Sequence, residues 1–352
     1  MKKILYLGWV GHKNLGDDLL LNIFTSLSSK YMLTPYRIIP SYPGVDTTNL
    51  SKYDLIVLGG GSLIVPYFIN ILYNGIKLGK KVMIWGSGID QIDESDLNKL
   101  KAGKSADLSG LFNAEDAKIL RRTFAKAVYA GVRGPLTKRA LISLGVKEEH
   151  IKIIGDPGLL LPVANMNSWN KKNKTIAINW GTSYNKIYGK NELEVEDQLV
   201  IALSKMIKEG YKVLIYTVWD KDRPIGERLY KKINDPTNVI LDTKLYTENE
   251  LIQRLSSTSI SINFKMHPNL ISLSAGVPSI ALGYRYKVFD LFYSLGLNDL
   301  VISTGDQSLS SKIIKLIKSH ENENKTITEY ATQRKKYMPL IIKPFKNNLF
   351  LK

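Results

Sequence analysis

The sequence predicts an α/β chain of two doubly wound, parallel-sheet domains facing a cleft. Three observations carry this. Short apolar runs rich in Val, Ile and Tyr alternate with amphipathic stretches along the chain. The rhythm breaks once, at the largely polar stretch NMNSWNKKNK (165–174), and then restarts. The length, 352 residues, suits two domains that can each bury a core.

Strands are expected at 3–9, 54–58, 81–85, 127–132 and 151–154, with the β-branched and aromatic content of a parallel sheet covered on both faces. Helices are expected between them, including 17–29 and 135–144. After the break come strands at 175–179, 211–217, 238–241, 258–263 and 279–282. Thr247 and Glu250, just before Leu251 and Ile252, read as a capping box that opens one of the intervening helices. The expected division is residues 1–165 and 174–325 as two Rossmann-like domains, with a basic segment, 326–352, packing back on the first. One sheet of ten or more strands is the competing arrangement, disfavoured by the polar break.

Composition removes several classes. With no cysteine there is no disulfide framework, thiolate metal site or cysteine nucleophile. Four scattered histidines give no metal-ligand spacing, so neither a metal nor a cofactor is expected. There is no G-x-S-x-G elbow and no Walker lysine. No apolar run is long enough for a membrane span, and Met1-Lys2-Lys3 leads into a strand rather than a secretory leader, so a cytoplasmic protein is expected. The net charge is +17, but 39 of the 49 basic residues are lysine. Ten arginines scattered over the chain do not make a nucleic-acid face, whereas a small anionic substrate remains in keeping with the charge.

Chemistry is expected where loops follow strands. Gly8 to Asp18 joins the first strand to the first helix. Its glycine spacing is not the dinucleotide fingerprint, and Asp17 and Asp18 stand where a pyrophosphate would arrive. Asn14, Gly16 and Asp17 therefore suit hydroxyl recognition or general-base work, with a helix cap as the plainer role for Asp17. Gly59-Gly60-Gly61-Ser62 and Gly86-Ser87-Gly88 follow strands at the same edge and mark a cleft or merely tight turns. Arg133 ends a strand just before Pro135 opens a helix, where a guanidinium can grip a carboxylate or phosphate or serve a salt bridge. Asp156 is its plainest partner.

The densest constellation lies in the second half. His267 follows a strand, and Pro268 reads as the first position of the next helix, which places the imidazole at a helix N-terminus. A histidine so placed can donate a proton. Lys265, Arg285 and Lys287 gather at the same edge, and unpaired cations there suit a small polyanion.

Together these segments resemble the polysaccharide pyruvyltransferase family, in particular its exopolysaccharide ketal-forming branch. The likeness runs through Asn14-Leu15-Gly16-Asp17, Asp54 to Ser62, Val132 to Thr137, Gly155 to Pro162, Lys265-Met266-His267, and the segment that Lys287 heads. It implies a two-domain fold like the B-type glycosyltransferases, phosphoenolpyruvate as donor to the second domain, and a saccharide as acceptor on the first. It also implies that an arginine, a histidine and a lysine act on the donor, here Arg133, His267 and Lys287. Many members of the branch read S-x-H-G at the histidine. This chain reads Lys265-Met266-His267-Pro268, and Pro268 removes a backbone N–H from the phosphate.

On this reading His267 protonates the donor's methylene carbon and Arg133 holds its carboxylate. Lys287 with Arg285 or Lys265 holds the phosphate, and Asp17 takes a hydroxyl proton. Gly60, Gly61 and Ser62 line the acceptor side. A sugar-nucleotide-dependent glycosyltransferase and a non-catalytic glycan-binding protein are the alternatives. Loops 181–190 and 217–224 are plausible acceptor contacts. The end of the chain, Tyr330 to Lys352, holds six basic and no acidic residues with Pro339 to Ile342 and Leu349 to Leu351 as apolar groups. It suits docking on the first domain, or leaning on an anionic membrane face where a lipid-linked acceptor waits.

Overall fold

The computed structural model describes residues 1–163, 174–320 and 325–346. They form two units. The first comprises Met1–His12, Asp17–Leu160 and the described part of Gln333–Lys352; the second comprises Lys13–Gly16 and the described part of Leu161–Thr332. Except for its last residue, the polar stretch 165–174 lies outside the described residues.

The first unit is built on β1 (Lys2–Leu7), α1 (Leu15–Tyr31), β2 (Tyr36–Pro40), β3 (Leu55–Leu58), α2 (Pro66–Lys77), β4 (Lys81–Ser87), α3 (Glu94–Lys101), α4 (Ala114–Lys126), β5 (Tyr129–Val132), α5 (Pro135–Ser143) and β6 (Lys152–Ile153). Its six strands are all parallel, in the order β2-β1-β3-β4-β5-β6. All four residues of β3 are fully buried, as a strand covered by helices on both faces must be. The helices start where local chemistry dictates. Asp93 and Asn113 each accept the third N–H of their helix, while Pro66 and Pro135 fill first-turn positions that need no donor. The order reverses direction between β1 and β3, so the loops after those strands flank the switch point.

The second unit follows with β7 (Thr175–Asn179), α6 (Glu192–Lys208), β8 (Lys212–Tyr216), α7 (Arg223–Ile233), β9 (Val239–Asp242), α8 (Glu248–Leu255), β10 (Ile260–Asn263), α9 (Met266–Ser274), β11 (Ser279–Gly283), α10 (Tyr286–Ser294), β12 (Val301–Ser303), α11 (Leu309–Ser319) and the start of α12 (Lys325–Lys346). Its parallel sheet runs β12-β11-β10-β7-β8-β9, the strand order of dinucleotide-binding folds, with the switch point between β7 and β10. The capping box at α8 is formed as expected: Glu250 accepts the Thr247 N–H at 2.8 Å while Thr247 Oγ1 accepts the Glu250 N–H at 3.4 Å.

Two strands escaped the sequence reading. β2 is an edge strand, only partly buried and ending in proline, and β12 has three residues. Neither has an apolar run long enough to stand out.

From Gln333 onward, α12 belongs to the first unit. Pro344 offers no N–H to the Leu340 carbonyl one turn back, and the Tyr129 hydroxyl donates to that carbonyl instead, at 2.8 Å. Trp85 Nε1 donates to the Ile341 carbonyl at 3.0 Å, and the buried Phe345 ring meets Phe24 and Trp85 edge-on. Ile341, one of the apolar groups considered for a membrane surface, is therefore spent inside this unit. Leu349, Phe350 and Leu351 lie outside the described residues.

Candidate functional site

In the second unit, the switch point is organised from below by buried amides. Asn179, at the end of β7, donates to the Tyr216 carbonyl and accepts the Lys265 N–H at 3.1 Å. Asn263, at the end of β10, accepts from the Tyr216 hydroxyl and donates to Ser261, Ser272 and Ser279. Ser279 in turn donates to Asn269, whose amide donates back to the Lys265 and Met266 carbonyls. A buried network with its members paired in this way holds one geometry. Here it holds the entry to α9.

That helix starts earlier than the sequence suggested. Lys265 is the flanking residue, with φ −73° and ψ 152°, and Pro268 is third in the helix rather than first. The proline is tolerated because first-turn N–H groups have no intrahelical acceptor. His267 is therefore the second helical residue, 9% exposed.

The loop residues Lys13–Gly16 belong to this same unit. Asn14 bridges to Trp219, and the Leu15 N–H donates to the Val218 carbonyl at 3.3 Å. Asn14 Oδ1 accepts the Gly16 N–H at 3.1 Å. A Cβ on Gly16 would overlap His267 Nδ1 and stand 2.6 Å from its Cγ, so only glycine lets the histidine occupy this place. Gly16, which the sequence assigned with Asn14 to the acceptor side of the first domain, is a neighbour of the histidine, and Asn14 bonds to Gly16.

Lys265 needs a correction. Its ammonium lies 3.3 Å from Asp222 Oδ1, donates to the Thr182 carbonyl at 2.5 Å, and sits 4.7 Å from the centre of the Trp219 ring. It is an ion-pair member, not the unpaired cation that the sequence suggested. Asp222 is fully buried, Oδ1 also accepts the Thr182 N–H, and Oδ2 has no hydrogen-bond partner among the described residues. Burial pushes its carboxyl above the ordinary value, outweighing the pull of Lys265.

Arg285 and Lys287 are half-exposed at this edge. β10 and β11 are neighbours, Asn263 opposite Ala281, so α9 and α10 open at adjacent strand ends. Arg285 flanks α10 and Lys287 is its second residue; no acidic side chain stands in that helix's first turn. Lys287 Nζ is 5.3 Å from the centre of the Tyr284 ring.

The first unit carries a second cluster at its own switch point. The cap of α1 is Asn14, so Asp17 is freed from that role; it is third in the helix, its Oδ1 3.6 Å from where a Cβ would stand on Gly61. Below it lies Tyr6, whose hydroxyl packs against Gly59. Burial pushes that phenol well above its ordinary range, and the charges of Asp17 and Asp156 add to the effect. Gly60 faces inward, against Leu20 and Pro157, so it serves packing rather than ligand approach. Ser62 Oγ is enclosed and has no hydrogen-bond partner among the described residues.

Arg133 is completely buried at the end of β5. Its Nη1 donates to the Gly61 carbonyl at 3.4 Å, and its N–H donates to the Ser87 carbonyl at 3.0 Å. β4 bulges against β5 between Trp85 and Ser87, with Gly86 at φ +73°. The bulge turns Gly88 toward the arginine: a Cβ on Gly88 would stand 2.7 Å from Cζ. Gly61 thus stands between Arg133, against which Gly88 also packs, and Asp17, whose charge reaches Tyr6. Asp156, also buried, accepts the Gly158 N–H at 2.8 Å.

Sequence reasoning missed Tyr6, Asn179, Trp219 and Asp222. Trp219 and Asp222 left a trace, both falling in the loop 217–224, where Asp222 precedes a proline-opened helix. Among the described residues no group of three or more His, Asp or Glu is arranged to hold a metal ion, and no helix is long and apolar enough to cross a membrane.

Comparison with known proteins adds the following. The family model for polysaccharide pyruvyl transferase matches residues 14–286. The chain is similar to the amylovoran biosynthesis protein AmsJ of Erwinia amylovora, with 21% identity over 318 residues, 84% of this chain and 73% of that one. Among solved structures it is similar to S. aureus MnaA solved with UDP (TM-score 0.62, 10% identity, 99% of this chain and 98% of that one). It is also similar to the UDP-GlcNAc 2-epimerase of Methanocaldococcus jannaschii in complex with UDP-GlcNAc and UDP (TM-score 0.58, 14% identity, 92% and 93%). At these identities the structural likeness carries the fold alone, two Rossmann-like domains of the B-type glycosyltransferase kind.

Proposed function

The chain belongs to the polysaccharide pyruvyl transferase family, and from that premise we propose that it uses phosphoenolpyruvate to close a cyclic pyruvyl ketal on two hydroxyls of one sugar. The enzyme is a transferase of polysaccharide biosynthesis; the donor, the ketal and phosphate release are the substance of the proposal.

The chemistry balances as follows. A proton from His267 adds to the methylene carbon of the donor, which becomes the methyl group, and C2 becomes oxocarbenium-like. The first sugar hydroxyl bonds to C2 and gives its proton to a base, for which Asp17 is the candidate. The C2–O bond to phosphate then breaks, and the second hydroxyl bonds to C2, closing the ring. Of the two protons the sugar loses, one replaces the proton on His267 and the other leaves with phosphate.

What supports His267 as the acid is its fixed placement at the start of α9, with Gly16 making room for the ring and Arg285 and Lys287 at the adjacent strand end. The two cations suit the departing phosphate. Lys265, committed to Asp222, is assigned to positioning instead. In the first unit, the buried fork of Arg133 suits a carboxylate.

Because both solved relatives named above were obtained with UDP, sugar-nucleotide transfer is the second reading. One assay separates them. The protein is incubated with polysaccharide-derived oligosaccharides and either phosphoenolpyruvate or UDP-sugars, and phosphate and UDP are followed. Oligosaccharide-dependent phosphate release from phosphoenolpyruvate is expected; oligosaccharide-dependent UDP release, with no phosphate, overturns the proposal.

A further inference from the structure

Large aromatic rings seldom stand in water in a stack, yet the loop after β1 holds such a stack. Trp9 is 54% exposed, and the exposed His12 ring stacks on it with centroids 4.5 Å apart and planes 21° apart. A third ring, Tyr42, 44% exposed, comes from the loop after the neighbouring strand β2.

These rings rest on a braced backbone. Ser41 Oγ accepts the Gly8 N–H and donates to the Gly8 carbonyl, both at 3.0 Å, which clamps the residues just before Trp9 and Tyr42 together. Gly11, at φ +83°, closes against the Tyr42 ring, where a Cβ would stand 2.8 Å from Cδ1. Such bracing lowers the ordering cost of binding a weakly held ligand.

We propose that the Trp9–His12 stack, with Tyr42 beside it, is the platform for a pyranose ring of the saccharide acceptor. The assignment rests on the pyruvyl-transfer reading for its choice of ligand. A pyranose presents a face of C–H bonds with partial positive charge, which complements the electron-rich face of an aromatic ring. The rings stand at the C-terminal strand edge beside the β1–β3 switch point, where ligands of such sheets bind. The same loop runs on into Asn14, Gly16 and Asp17. Three rings fall far short of the about 800 Å² per partner that a stable protein interface buries. A single sugar ring matches them in size.

The test uses the full chain without donor, so it stands apart from the phosphate-release assay. Saturation-transfer NMR is run with methyl pyranosides of gluco, galacto and manno configuration, and in parallel with UDP. At least one pyranoside is expected to receive saturation at the C–H protons of one face. Trp9→Ala should weaken that binding about tenfold, while Trp9→Phe keeps it within about threefold. Because Trp9 is largely exposed, thermal melts should show both variants folded. Binding unchanged in Trp9→Ala overturns the platform, as does the absence of binding by all three pyranosides. Loss of UDP binding alone in Trp9→Ala identifies the stack as a base-binding surface and overturns the sugar assignment. Should phosphate release fail while pyranoside binding holds, the donor reading falls and the platform stands.

Discussion

The imidazole of His267 occupies the space into which any side chain at residue 16 would project. Gly16 is the second residue of α1, where alanine would ordinarily help a helix. Gly16→Ala should therefore displace the ring without unfolding the protein. Turnover is expected to fall about 10²-fold, the scale of an ångström-sized misplacement, at a cost of about 1–3 kcal/mol in unfolding free energy. Steady-state kinetics beside a denaturant melt checks both; unchanged turnover would remove His267 from the chemistry.

Replacing the acid itself separates proton donation from binding. His267→Gln is expected to lower turnover by about 10² to 10⁴. Its phosphoenolpyruvate dissociation constant, read by calorimetry, should stay within about threefold of wild type if the ring acts as the acid. A parallel loss of donor affinity would make His267 a ligand instead.

Arg133 tests the carboxylate grip. Its guanidinium is wholly buried and already donates to the Gly61 carbonyl, so a lysine there would keep the charge but lose the planar fork. Arg133→Lys is expected to weaken phosphoenolpyruvate binding at least about tenfold. A fall in melting temperature with unaltered donor affinity would reassign the arginine to the fold.

Stability should carry a pH signature from Glu196. Its side chain is fully buried, which by itself raises a carboxyl's pKa. Hydrogen bonds from Arg228, Trp180 and Lys232 win and hold the group below its ordinary 4.5. A carboxylate lowered in the folded state stabilises above its unfolded pKa and loses that contribution as pH falls through the folded one. Glu196→Gln should cost about 2 kcal/mol near neutrality, toned down from a fully buried pair because both cations are a third exposed. The gap to wild type should narrow progressively as pH falls below the ordinary 4.5, in urea melts run across that range.

Much of the site was legible because of where parallel sheets put their chemistry. His267, Arg285 and Arg133 each follow a strand whose apolar run is plain in the sequence, and each borders a helix start. Their functional edge follows from strand direction alone. The partner of Lys265 was not legible. Asp222 comes from the loop after β8, and nothing local to Lys-Met-His announces that a buried carboxylate will meet that ammonium. Tyr6 was hidden for the opposite reason: inside an apolar strand its phenol reads as one more core ring, and only its place under Asp17 sets it apart.

The order of residues is enough to determine two doubly wound sheets, because strands buried on both faces must be continuously apolar and each must be followed by a helix able to cover it. It also places the candidate site side chains at C-terminal strand ends. What only the folded chain decided is which of them meet. Gly16 serves His267, Gly88 serves Arg133, and Lys265 is claimed by Asp222. Such pairings depend on strand order and on which loops flank each switch point. Side chains far apart in sequence meet there through packing, and local pattern carries no record of it.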